Sequence, residues 1–181
     1  VIIIFVALWC SYLNNLNDHL DKFFIECNFI MLDDIDRKIL AVLQGDALVS
    51  QSYIAKLIGR PTSTVNDRIS RMRNNGTIKN LVANIDASKA GLNVLAFISV
   101  LIDWNKSNET FSAAVKRMPE VLECHNVTGD WSYLLKVRAI NNSALEELIS
   151  NKIKSFPGVT RSETIFVVQT DKETSALPLS L

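Results

Sequence analysis

Metal and disulfide chemistry are missing from this sequence. Its three cysteines, Cys10, Cys27 and Cys124, are odd in number and far apart, and only His19 and His125 accompany them. Neither a disulfide framework nor a zinc-ligand spacing results, and a reducing, cytoplasmic setting is the natural reading. Cys124 lies in a strand-like run, where a thiol serves as a small core residue rather than a nucleophile. The catalytic signatures are absent too. There is no nucleophile–base pair, no paired carboxylates, no P-loop and no glycine-rich dinucleotide fingerprint. No enzyme activity, cofactor or metal is therefore expected, and His125 on a strand reads as a core or interface residue. Charge of one sign is also lacking. Nineteen Lys and Arg balance 19 Asp and Glu, which argues against a broad polyanion binder and leaves room for a local basic patch.

Long hydrophobic runs are absent as well. VIIIFVALWC at the start is about half the length that a membrane-spanning helix needs. It lacks the basic flank and the cleavage site of a signal peptide, and Asn-rich, acidic SYLNNLNDHLDKFF follows it. Residues 1–30 read as an extension foreign to the native protein, with Met31 as its start; a membrane or partner anchor is the alternative. The rest is globular in composition, 48% hydrophobic and 21% charged, enough for one ordinary domain or two small ones.

What is present is concentrated in Ser50–Gly76, SQSYIAKLIGRPTSTVNDRISRMRNNG. It predicts two short helices joined at Gly59. The first carries apolar Ile54, Ala55, Leu57 and Ile58. The second carries Val65, Ile69 and Met72 at i, i+4, i+7. The opposite face of the second helix offers Ser63, Asn66, Asp67, Ser70 and Arg73, flanked by Arg68 and Arg71. An apolar stripe that glues a helix to a bundle, backed by hydrogen-bonding and cationic groups, suits a recognition helix in a DNA groove. Between Met31 and Ile85 eight basic residues stand against five acidic ones, a local surplus where phosphate contacts would be wanted. Ser63 and Asn66 are candidates for base edges, and Arg68 and Arg71 for phosphates. Gln51 and Ser52 open the preceding helix, so their backbone N–H groups could bond phosphate. Upstream, Asp33 or Asp34 caps a helix carrying Ile35, Ile39, Leu40 and Leu43. Asn75-Gly76 closes the recognition helix. Residues 31–76 are thus a three-helix helix-turn-helix domain, followed by a strand or extended linker over 77–93.

From Val94 the period changes to that of strands. VLAFISVLID, VLECHNVT, YLLKVRA and TIFVVQ read as strands. Helices fall at Glu109–Met118 and from a Ser143 cap to Ile153. The order over 94–181 is β-α-β-β-α-β, a ferredoxin-like sandwich, which makes the whole chain α+β. Its strands are apolar at nearly every position, so an uncovered apolar sheet face is expected to meet a second copy.

A helix-turn-helix followed by this βαββαβ unit resembles the Lrp/AsnC family of regulators. Four blocks carry the likeness: LDDIDRKILAVLQ, IAKLIGRPTSTVNDRISRMRNNGTIKN, PEVLECHNVTGDWSYLLKV and FPGVTRSETIFVVQ. The resemblance implies a homodimer, often assembled to an octamer, that binds double-stranded DNA and answers to a small effector, commonly an amino acid. It does not imply membrane attachment. It makes Thr128, Gly129, Asp130, Trp131, Ser132 and Tyr133 part of an effector pocket. Backbone N–H groups of that turn would bond the carboxylate and Asp130 the ammonium, with Gly129 permitting close approach. Without the resemblance, the same residues are an ordinary hairpin turn. Three positions depart from the family pattern. Pro61 replaces the usual Ser cap of the recognition helix, leaving the cap to Thr62 or to nothing. Asp67 replaces a basic residue, and could accept from cytosine N4. Ser132 replaces an Asp before the Tyr. Sirohaem decarboxylases resemble the same layout, but His125 is the only histidine available there. An assembly protein without DNA binding is a third reading.

Overall fold

A computed structural model of the protein describes residues 32–106 and 110–179; the readings for residues 1–30 lie outside that range. The described residues fall into two compact units, 32–81 with the tail from Ala176, and 82–175.

The first unit holds three helices, α1 (Asp34–Gly45), α2 (Gln51–Ile58) and α3 (Thr62–Asn74). Each end has a local cause. The Asp36 amide donates to the Asp33 carboxylate at 2.8 Å while the Asp36 side chain accepts from the Asp33 amide, a reciprocal cap that starts α1. Ser50 accepts from the Tyr53 amide and starts α2, and Gly59 ends it at φ 65°. Pro61 stands at the cap of α3 and makes no side-chain hydrogen bond, so the cap is lost rather than passed to Thr62. Ile39, Leu40, Ile54, Ala55, Val65, Ile69 and Met72 form the core. Leu57 is not among them: at 59% exposed it falls outside the inward stripe set by Ile54, Ala55 and Ile58. Residues 77–93 contain no strand; they are irregular up to a turn at 87–91.

The tail contributes to this unit. The Gln44 carboxamide donates to the Leu177 carbonyl at 3.2 Å and accepts from the Leu177 amide at 2.7 Å, and Leu179 packs against the helical core. Local patterning assigned all of 94–181 to one domain because nothing in a polar tail announces a distant partner. Leu179→Ser should lower the stability of this unit by about 1–2 kcal/mol, the worth of a partly buried leucine. Calorimetric melting would show it, and an unchanged midpoint would mean that the tail adds no stability.

The second unit is a sheet of β1 (Val94–Ile102), β2 (Val121–Asn126), β3 (Tyr133–Ala139) and β4 (Val159–Phe166), in the order β2-β3-β1-β4 and antiparallel throughout. Helices α4 (Phe111–Val115) and α5 (Asn142–Glu147) complete the βαββαβ order. From Leu148 to Ile153 α5 widens to a π-helical turn, as the Lys154 amide donating to the Ile149 carbonyl shows. Its cap is Asn141, which accepts from the Ala144 amide, rather than Ser143. Strand β4 starts five residues before the predicted TIFVVQ, because Arg161–Glu163 are polar yet pair with β1, as does Val159. Both helices cover one sheet face, packing Phe111, Val115, Leu145, Leu148, Ile149 and Ile153 onto Ala96, Ile98, Val100, Leu135 and Val137.

The other face is less apolar than predicted. By register it carries Leu95, Phe97, Ser99 and Leu101 on β1, Leu134, Lys136 and Arg138 on β3, Glu123 and His125 on β2, and Arg161, Glu163 and Ile165 on β4. Strand alternation sends Glu123 and His125 of β2, and Arg161 and Glu163 of β4, outward. Lys136 bonds Glu123 and Glu173, and Arg138 bonds Glu173, leaving both cations only 15% exposed. Glu173 therefore brings the segment after β4 across part of this face.

Candidate functional site

Helix α3 buries Val65, Ile69 and Met72 and exposes Thr62, Ser63, Asp67, Ser70, Arg71 and Arg73. The two-faced pattern in the sequence is realised. Gln51 and Ser52 are also exposed, in the first turn of α2, where backbone amides have no intrahelical acceptor. The Ser52 hydroxyl lies 3.1 Å from that of the Ser50 cap.

The arginines of α3 are arranged differently from expectation. Arg68 donates to Asp33 at 2.5 Å and to Asp36 at 2.9 Å, and Arg71 donates to the second oxygen of Asp36 at 2.6 Å. Asp36 is 1% exposed, Arg68 21% and Arg71 53%. The Arg68 hydrogen bond holds the Asp33 carboxyl below its ordinary range, and the Asp33 hydrogen bond in turn raises Arg68. Arg68 and Arg71 are three apart on α3, as Asp33 and Asp36 are on α1, so each pair presents one helix face to the other. Their first role is to fix the recognition helix to α1. Arg71 keeps enough exposure to reach a phosphate as well; Arg68 is the poorer candidate. Arg60 and Arg73, exposed and without an acidic partner among the described residues, are the freer cations. Arg60 lies in the turn before α3, outside the helix face on which the sequence signal rests. Asn66 is half-buried, and its carboxamide oxygen is enclosed with no hydrogen-bond partner. That leaves Ser63 as the better-presented of the two base-edge candidates.

In the second unit the turn between β2 and β3 is closed by the Val127 amide donating to the Ser132 carbonyl at 3.2 Å. Thr128, Gly129 and Asp130 are exposed and Trp131 is half-buried. Gly129 has φ 105° with open space where a side chain would stand. That backbone conformation is one that side chains rarely adopt, whatever the space around it. Ser132 and Tyr133 are drawn away from the turn. The Ser132 amide donates to the Val100 carbonyl, and its hydroxyl accepts from the Ile102 amide at 3.1 Å. Tyr133 is buried against Phe111, ring centroids 5.1 Å apart, because it pairs with core-facing Val100. Trp131 carries the Arg161 guanidinium 4.7 Å from its ring centroid, a contact across β1 that no local pattern reveals.

His125 is exposed, with its ring nitrogen 3.3 Å from Glu123. Cys124 packs beside the core, and burial raises its thiol pKa. Among the described residues no three His, Cys, Asp or Glu side chains gather as a metal site, and no helix is long and apolar enough to cross a membrane.

Known proteins match this arrangement in both units. Residues 32–79 match a winged helix-turn-helix DNA-binding model, and residues 95–177 match the Lrp/AsnC ligand binding domain. The chain is 37% identical to the HTH-type transcriptional regulator FL11 of Pyrococcus furiosus, over 82% of this chain and 97% of that protein. It is 32% identical to the leucine-responsive regulatory protein of Salmonella typhimurium, over 81% and 90%. A transcriptional regulator of Neisseria meningitidis, solved as a complex with L-methionine, superposes with a TM-score of 0.74 at 27% identity, covering 82% of this chain and 97% of that one.

Proposed function

The chain belongs to the Lrp/AsnC family of DNA-binding transcriptional regulators, and on that premise we propose that α3 reads operator DNA while the Gly129 turn holds a free amino acid that changes how copies of the chain assemble. The observation that carries the first half is the division of α3. Its buried Val65, Ile69 and Met72 leave Ser63, Ser70, Arg71 and Arg73 outward. Hydroxyls and guanidinium groups on one exposed face can bond base edges and phosphates together. Exposed Asp67 in the same row repels phosphate and biases the site toward a base donor such as cytosine N4. Arg60 and Arg73 supply phosphate contacts, aided by Arg71 and by the first-turn amides of Gln51 and Ser52.

The second half rests on the turn. An amino acid brings one carboxylate and one ammonium, and both must be paired when water is removed. Thr128–Trp131 offers backbone N–H groups and the exposed Asp130 carboxylate. The Neisseria regulator that this fold matches holds L-methionine. Assembly follows from the open sheet face, where Phe97 pairs with half-exposed Ile165 and Leu101 stands further along the same strand. A second copy would cover it, giving a dimer and from dimers an octamer. The cytoplasm, where DNA and free amino acids meet, is the fitting compartment.

Arg73→Ala should weaken binding to specific and random DNA alike and lower the salt dependence by about one unit, as for one lost phosphate contact. Ser63→Ala should instead flatten sequence preference. Gel shifts across a salt series separate the two effects. Wild-type behaviour from both variants would remove α3 from the DNA interface. Sedimentation of the full chain with and without L-methionine tests the assembly, and a monomer under both conditions would rule it out.

A further inference from the structure

Three cations stand on the open sheet face, and two of them end on carboxylates. Lys136 is held by Glu123 and Glu173, and Arg138 by Glu173. Arg161 is different. Its guanidinium lies over the Trp131 ring, 4.7 Å from the centroid, and has no acidic partner among the described residues. Glu163, two positions along the same strand on the same face, does not take it. A ring face attracts the cation but accepts none of its N–H donors in the manner of an oxygen. The stack fixes the side chain and leaves those donors available, which lowers the ordering cost of binding an anion. Register places Arg161 opposite Leu101, one residue along β1 from Val100, whose carbonyl accepts the Ser132 amide. The guanidinium is therefore held at the turn itself. Asp130, next to Trp131 in the chain, is exposed and has no cationic partner among the described residues. A guanidinium on the Trp131 ring and a carboxylate on the residue before it thus both lack an ion-pair partner among the described residues.

We propose that Arg161, held on the face of Trp131, receives the α-carboxylate of the effector while Asp130 takes its ammonium. The proposal rests on the reading that the Gly129 turn binds a free amino acid, and adds the residue that selects an acid over its neutral analogues. Guanidinium binds carboxylate with two parallel N–H···O bonds, and an amide in its place forfeits the charge and turns a donor toward a donor.

The test is titration calorimetry of the full chain at pH 6.5, where an α-amine is protonated, with L-methionine and with L-methionine amide. Wild type should prefer the acid by about tenfold or more, the worth of a charge-assisted hydrogen bond. Arg161→Ala should bind L-methionine about tenfold or more weaker and discriminate little between the two ligands. Arg161→Lys, which keeps the charge without the fork, should fall between. Arg161→Ala with wild-type affinity and wild-type discrimination overturns the assignment. If L-methionine gives no heat with wild type, the other common amino acids and their amides are titrated in the same way. No heat from any of them refutes the amino-acid reading of the turn, and Arg161's role with it. Binding in wild type with no loss in the variant refutes Arg161 alone.

Discussion

Asp36→Ala should destabilise the first unit by about 2–4 kcal/mol and abolish DNA binding well before the unit unfolds. Breaking a buried ion pair from one side costs about 3–5 kcal/mol when a charge is stranded. The cost here is somewhat lower because Arg71 is half-exposed and returns to water. Three losses coincide at this carboxylate. Its two oxygens accept separately from Arg68 and Arg71. Its side chain also closes the reciprocal cap with Asp33. It is enclosed, so no water replaces it. The two ion pairs fix α3 against α1, and a recognition helix displaced by even an ångström misplaces every base contact along it. Asp36→Asn keeps the shape and one acceptor, and should cost less. Urea denaturation gives the stability and a gel shift on a selected DNA fragment gives the function. A loss under 0.5 kcal/mol, within the spread of ordinary surface changes, would mean that packing alone orients α3.

The same cluster sets an acid limit. The Arg68 hydrogen bond lowers the Asp33 pKa from its ordinary 3.8. A carboxyl lowered on folding stabilises the fold above its unfolded value and loses that contribution as pH falls through the folded one. The Asp33 contribution is therefore intact above about pH 4 and fades below it. In Asp33→Asn this part of the acid-side loss should vanish.

What was legible in the sequence follows from how locally each feature is encoded. The Val65, Ile69, Met72 stripe, the Gly59 turn and the strand at YLLKVRA each depend on neighbours within a turn or two and stand as predicted, and of the two candidate caps, Asp33 and Asp34, it is Asp33 that starts the first helix. The failures are long-range. Nothing near Arg68 or Arg71 in sequence shows that Asp33 and Asp36 lie across the bundle, so both read as free phosphate ligands. Tyr133 and Ser132 sit in a turn-like string, yet pairing with β1 sends the ring to the core and the hydroxyl to the Ile102 amide. Nothing local in TRSE marks Arg161, which β4 brings onto Trp131. Leu179 lies far from the helices in sequence, yet packs against their core. Candidate site residues on turns and helix faces could be nominated from local pattern; which of them remain free to bind could not.

Gly158→Ala should be the most damaging glycine substitution in the second unit, at about 2–5 kcal/mol, from backbone strain together with overpacking. Gly158 has φ 96°, and a Cβ there would stand 2.7 Å from the Asp103 carbonyl oxygen. That oxygen belongs to backbone held in place, because the Asp103 amide donates to the Gly158 carbonyl at 2.8 Å. Neither strand can yield without opening the junction where β1 and β4 shift register. Two other glycines separate the causes. Gly129 has φ 105° but open space around it, so Gly129→Ala should cost only the left-handed penalty, about 1–2 kcal/mol. Gly45, the last residue of α1, has neither constraint, so Gly45→Ala should be neutral or slightly stabilising. The functional consequence also differs. Gly158 precedes Thr160, whose hydroxyl donates to the Leu101 carbonyl at 3.2 Å, and Arg161, which pairs with Leu101. Pushing the start of β4 away therefore carries Arg161 off Trp131, and amino-acid binding should fall even at temperatures where the unit stays folded. Denaturation of the three variants, with calorimetry on the folded ones, tests the order Gly158, Gly129, Gly45. A Gly158→Ala protein as stable as Gly129→Ala would mean that the β1–β4 junction relaxes around a methyl group.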